Sequence, residues 1–98
     1  MKSKLLKIIK HYGIDNQLRK FNEENFELIE AIIKMIYPKF TGYMYIDELK
    51  QNIKEEIADN LVLLSQFILY YDINLDEIEE IFKYKVDRQI KRMEKENE

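Results

Sequence analysis

Three residues capable of stopping a helix, Gly13, Pro38 and Gly42, punctuate a chain of 98 residues, and each stands where an apolar helical period ends. Long uninterrupted segments with almost no hairpin chemistry predict an all-α chain. A first helix is expected from about Lys2 to Tyr12, with Leu5, Leu6, Ile8, Ile9 and Tyr12 as its apolar positions and Gly13 to end it. Asp15 is placed to cap a second helix, from about Asn16 to Ile36, before Pro38. Asp47 can cap a third, continuing through Tyr71. Asn74, with Glu77 three residues later, makes a capping-box pattern that opens a fourth helix through Ile78, Ile81, Phe82, Val86 and Ile90, dissolving into a polar tail from about residue 94. The connecting segment YPKFTGYMYI, Tyr37 to Ile46, reads as a loop that is partly packed or touches a ligand, and tyrosines such as Tyr43 and Tyr45 there are more often core cover than base-stacking groups.

The third helix carries apolar residues on nearly every side from Ile57 onward: Leu61, Val62, Leu63, Leu64, Phe67, Ile68, Leu69 and Tyr70. Such a helix has to be covered all round. Three neighbouring helices in one short chain can hardly do that, so the expected architecture is a bundle of about four helices, residues 1–98 as a single domain, completed by assembly into a homodimer or homotetramer. A chain this short also buries only about 60 to 70% of its unfolded surface. A large enclosed pocket within one subunit is therefore not expected.

Charged residues are 36% of the chain against about 25% in ordinary domains, yet the net charge is only −3. Electrostatic function must then come from placement. With no cysteine, disulfides, thiolate metal sites and a cysteine nucleophile are excluded, and a cytoplasmic setting is expected. Lys7 and Lys10 interrupt the apolar run of a would-be signal peptide, and the longest uncharged apolar stretch, Asn60 to Tyr71, is too short for the roughly 20 residues that span a bilayer. Neither a nucleic-acid polymer nor a membrane is an expected partner.

Two acidic pairs stand in the wrong place for a solvated surface. On a wheel of about 100° per residue, Phe21, Leu28, Met35, Glu24 and Ala31 share an arc of about 80°, and Glu27 borders it. A carboxylate thus sits inside an apolar stripe. In the third helix Glu56 and Asp59 fall beside Leu63, Phe67 and Tyr70 in the same manner. Each pair is spaced i, i+3, which puts its Cβ atoms about 5 to 6 Å apart on one face. If the two helices pack antiparallel, both pairs converge. Carboxylates about 5 Å apart repel by roughly 3 kcal/mol per pair at an effective dielectric near 20, so a cation is expected. An all-oxygen set selects Mg²⁺ or Mn²⁺. Di-iron bundles use Glu-x-x-His, and His11, the one histidine, has no acid three residues before it. On the last helix Lys85, Arg88 and Arg92 extend the line of Ile78 and Ile81, a basic stripe expected to point back toward the bundle.

With E-N-F-E at Glu24 to Glu27, E-I-A-D at Glu56 to Asp59, the lead-in YG-IDNQLRKFNEENFELIEAI and basic residues on a later helix, the chain resembles the MazG-like all-α nucleoside triphosphate pyrophosphohydrolases over about residues 11 to 92. The resemblance implies Mg²⁺-dependent hydrolysis of a nucleoside or deoxynucleoside triphosphate to the monophosphate and pyrophosphate. Glu24, Glu27, Glu56 and Asp59 would be the metal ligands and catalytic groups. Lys85 and Arg88 would neutralise the leaving pyrophosphate, and Gln17, Lys20 and the aromatic loop would be the candidates for contacts to base or sugar. The rival expectation is a non-catalytic helical interaction or nucleotide-binding protein whose acids form a surface pattern. Glu23, Glu30 and Glu55 point elsewhere and are expected at the surface, while Asn60, Ser65 and Gln66 interrupt an apolar run and are expected to bond at an interface.

Overall fold

The computed structural model describes residues 1–37 and 45–97. Among these, four α-helices follow one another: α1 (Lys2–Tyr12), α2 (Ile14–Ile36), α3 (Ile46–Tyr70) and α4 (Leu75–Glu96). No strand occurs among the described residues. The segment between Tyr37 and Tyr45, with Pro38, Gly42 and Tyr43, lies outside them. Tyr45 is described and is exposed, so it covers no core. None of the described helices is long and apolar enough to cross a membrane.

Gly13 alone separates α1 from α2. Its φ of 86° and ψ of 153° are open to glycine and closed to side chains, and this single residue both ends α1 and caps α2. Asp15 is therefore inside the first turn of α2 and not its cap. Asp47 is likewise in the first turn of α3, where Tyr45 takes the cap position. Both carboxylates still complement the helix dipole there. Asn74 caps α4 as expected: its Oδ1 accepts from the backbone N–H of Asp76 at 2.8 Å and of Glu77 at 3.3 Å. The helix continues through the polar residues to Glu96, because Glu and Lys are good helix formers and no breaker intervenes.

The helices α2 and α3 run antiparallel: Gln17 pairs with Gln66, Glu24 with Asn60, and the Phe21 and Phe67 rings lie 5.8 Å apart. Helix α1 crosses both and buries Ile9. The tightest core is small, comprising Ile9, Ala31, Leu49 and Leu63.

Helix α4 packs against none of the other three, and all its described side chains are exposed. Within the single chain, then, three helices pack together, and α4 does not direct Lys85, Arg88 and Arg92 toward them. The cause is the turn at the end of α3. Asp72 takes a left-handed φ of 51°, the Ile73 N–H donates back to the Ile68 carbonyl at 2.9 Å, and the Asp72 N–H to that of Leu69 at 3.2 Å. This Schellman-type stop sends the chain away from the helices before α4 begins. The radius of gyration is accordingly 17.4 Å, where a compact chain of this length has about 12.5 Å.

A second apolar face is also open. Phe26, Ile29, Ile32, Ile33 and Ile36 on α2 are 41 to 60% exposed. Ile57, Leu61 and Leu64 on α3 are exposed too. Grooves lined by Phe21, Leu28, Leu61 and Leu64, and by Leu18, Phe21 and Phe67, run along this side.

Candidate metal centre

The acid pairs converge. One carboxylate oxygen from each of Glu24, Glu27 and Glu56 lies within 4.8 Å of the others, close enough for the three to hold one metal ion. Helical phase does the positioning: Glu24 shares the arc of Phe21, Leu28, Ala31 and Met35, all buried or half-buried, and is itself only 7% exposed. Glu27, one turn on, lies at the exposed edge of the cluster, and Glu56 is half-buried opposite them. Asp59 is exposed and lines, with Glu24 and Lys20, a cleft of about 380 Å³ bounded by Ile8, Val62 and Leu63. Its charge acts on Glu56.

Two buried oxygens in this cluster, Oε2 of Glu24 and Oε2 of Glu56, have no hydrogen-bond partner. Buried carboxylate oxygens are normally satisfied, and leaving them so is costly. Unpartnered oxygens on two of the three converging carboxylates fit a hard cation, which takes oxygen ligands and supplies the missing charge.

Lys20 partly fills that role. Its Nζ lies 2.9 Å from Glu24 Oε1, and this hydrogen bond and charge hold the Glu24 carboxyl below the ordinary range against the opposing effect of burial. The same contact raises the Lys20 ammonium. The other two acids move the opposite way. Glu27 is raised chiefly by the neighbouring Glu24 charge, and Glu56 by burial first, then by Asp59 and Glu24.

These directions predict a non-monotonic pH dependence in chelator. Glu27 and Glu56 bind protons in the folded chain at higher pH than in the unfolded one, so mild acidification from neutrality through their raised range stabilises the fold. Glu24 contributes stability above its unfolded pKa that is lost as pH falls through its depressed folded value. The melting temperature should thus rise and then fall on acidification, with a smaller rise in Glu56→Gln. A curve that only declines from pH 7 contradicts the repulsion.

The structure brings together Glu24, Glu27 and Glu56, with Asp59 and Lys20 at the same cleft. Lys20 therefore meets the acids directly. Gln17 lies in the cleft wall, buried, and its Nε2 donates to Gln66 Oε1 at 2.8 Å. Lys85 and Arg88 are not brought to the acids, since α4 touches neither α2 nor α3; the Arg88 guanidinium instead lies 5.8 Å from the centre of the Tyr84 ring.

Asn60 is a positioning residue that sequence reasoning assigned only to an interface. Its Nδ2 donates to the Glu24 carbonyl at 2.9 Å and to the Glu56 carbonyl at 2.7 Å, so one buried amide ties together the backbones that carry the two innermost acids. The available signal was its i+4 spacing from Glu56 inside an apolar run.

No protein-family model, curated protein or solved structure matches the chain. Its chemistry is read from the site itself.

Proposed function

We propose that the chain is a divalent-cation-dependent nucleoside triphosphate pyrophosphohydrolase of the MazG-like kind that its motifs resemble, releasing pyrophosphate and a nucleoside monophosphate. The observation that carries this reading is the convergence of the Glu24, Glu27 and Glu56 carboxylates from antiparallel helices, two of them with an unpartnered buried oxygen. An acidic surface pattern would keep its carboxylates in water; a cluster that desolvates them calls for a cation. Mg²⁺, or Mn²⁺ in its place, suits an all-oxygen donor set, and when bound it supplies charge for phosphate oxygens and acidifies a water.

The chain's own residues do the rest. Glu24, Glu27 and Glu56 hold the cation. Asp59, exposed on the cleft wall, accepts a hydrogen bond from the attacking water and orients it toward the α-phosphorus. Lys20, displaced from Glu24 when the cation binds, is free to turn its ammonium to a phosphate oxygen. Lys85 and Arg88 reach the leaving pyrophosphate only if the α4 of a neighbouring copy crosses the cleft.

The open side of α2 and α3 is read as a contact with a second copy. Eight large apolar side chains there are about half exposed, on the order of 700 Å² of apolar surface, above what monomers commonly show. Two copies meeting face to face would bury about 1,400 Å², within the standard interface class. A two-fold pairing needs only that one patch match itself.

The deciding assay incubates the protein with canonical and modified nucleoside triphosphates and Mg²⁺ and follows pyrophosphate. Metal-dependent release from at least one is expected; no release from any of them rejects the enzyme, and retained nucleotide binding would then leave a silent binder.

A further inference from the structure

We infer that α4 pairs in parallel with the α4 of a second copy, as a second contact between chains joined through the open face of α2 and α3; this rests on the two-copy reading above and not on the hydrolysis. In the single chain this helix of 22 residues packs against no other helix, yet helices draw most of their stability from packing an apolar face. Such a face is present. On a wheel of about 100° per residue, Leu75, Ile78, Phe82, Val86, Ile90 and Met93 share an arc of about 120°, and each is 38 to 66% exposed. The stripe runs about 27 Å from Leu75 to Met93. Leu75, Ile78 and Phe82 recur eleven residues later as Val86, Gln89 and Met93, a spacing that holds a stripe on one face of a nearly straight helix.

The charges beside the stripe decide what covers it, and in which direction. Within about 140° of its centre, Asp76, Glu79, Glu80, Asp87 and Glu94 line one side with a single base, Lys83, while Lys85, Arg88 and Arg92 line the other with a single acid, Glu96. Lys83 is taken by Glu79 at 3.3 Å, and among the described residues Lys85, Asp87, Arg92 and Glu94 have no ion pair. A two-fold axis across two antiparallel helices carries each flank onto the same flank, setting acid against acid and base against base. An axis along the helices exchanges the flanks, so the acidic side of one copy meets the basic side of the other. Only the parallel pair is electrostatically complementary, with Lys85 and Arg92 of one copy alongside Asp87 and Glu94 of the other. Each layer then meets its own kind. Gln89 faces Gln89, whose amides offer each other both donor and acceptor, a polar layer of the sort that fixes register. An anionic membrane does not match this helix, because interfacial helices surround their apolar face with Lys and Arg, and here five acids line one side.

The chain has no cysteine, so single cysteines report the pairing. Ile78→Cys and Met93→Cys, near the two ends of the stripe, are equilibrated in a glutathione redox buffer and run on non-reducing gels. Each should give at least tenfold more disulfide-linked dimer than Tyr84→Cys, on the opposite side of the helix. Lys85→Glu with Arg92→Glu makes both sides acidic and should cut the Met93→Cys dimer at least fivefold. Adding Asp87→Lys and Glu94→Lys sets opposite charges against each other again and should restore the yield, which a failure to fold would not allow. Cross-linking only in a mixture of Ile78→Cys with Ile90→Cys means an antiparallel pair and overturns the inference. So does a yield no higher than that of Tyr84→Cys in a chain that sedimentation finds dimeric, and the contact through α2 and α3 then stands alone. A wild-type monomer overturns both, while the pyrophosphate assay is decided separately.

Discussion

Glu24→Gln should abolish pyrophosphate release, lowering it by at least a thousandfold, while the helical content and melting temperature in chelator are kept or raised. The two halves of this expectation have one cause. Glu24 is the most buried of the acids, and its Oε2 is without a partner. Removing its charge takes away a ligand and also relieves the repulsion that raises Glu27. A purely structural carboxylate would behave differently: its loss would strand Lys20, the ion-pair partner 2.9 Å away, and destabilise the chain. Lys20 is half exposed, however, so water compensates it and the stability cost of the lost pair is small. The control is Glu30→Gln, on the exposed side of the same helix, which should leave activity unchanged. The measurements are turnover, Mn²⁺ binding and thermal melting with and without Mg²⁺. Metal should raise the wild-type melting temperature by mass action and leave that of Glu24→Gln unmoved. Equal damage from Glu30→Gln would show that the acids act through net charge and not through position.

The position of Glu24 was legible because a helix has a fixed phase. Once Phe21, Leu28, Ala31 and Met35 are taken as one stripe, the residue between them has nowhere else to point, and all five are buried or half-buried. The partner acids followed from antiparallel packing, which joins residues of α2 and α3 whose numbers sum to a nearly constant value, as Gln17 with Gln66 and Glu24 with Asn60 do. The caps at Asp15 and Asp47 were misread for a local reason. A one-residue hinge at Gly13 leaves no room for a separate capping residue, and no pattern in the text distinguishes a capping Asp from an Asp in the first turn. Helix α4 poses a different limit. The phase of Lys85, Arg88 and Arg92 on their own helix is a local property, but where that helix goes depends on the left-handed Asp72, a conformation the sequence does not announce. The stripe from Phe26 to Ile36 shows the same limit: periodicity says which side chains are apolar and not which chain covers them.

Leu64→Glu, and Ile33→Asp on the facing side, should therefore dissociate the protein and in doing so cost most of its stability. Both side chains are about half exposed in the single chain, Leu64 at 43% and Ile33 at 49%, so in a true monomer each substitution would be a surface change worth within about 0.5 kcal/mol. At the centre of a face-to-face pair, each would bury a carboxylate against its two-fold copy, and like charges brought together in an apolar interface are strongly unfavourable. The four-residue tight core, Ile9, Ala31, Leu49 and Leu63, is too little for a chain whose stability has to offset about 1 to 2 kcal/mol of backbone entropy per ordered residue. On the proposed pairing, folding and association are one event, and the melting temperature should rise with protein concentration. Sedimentation velocity at micromolar concentration should find the wild-type chain as a dimer or tetramer. The Leu64→Glu chain should be monomeric and largely unfolded by circular dichroism. Glu27→Gln, on the acid side and away from this face, should leave the assembly intact. A wild-type monomer with a concentration-independent melting temperature, or a Leu64→Glu chain as stable as the wild type, would show that the open face of α2 and α3 meets no second copy.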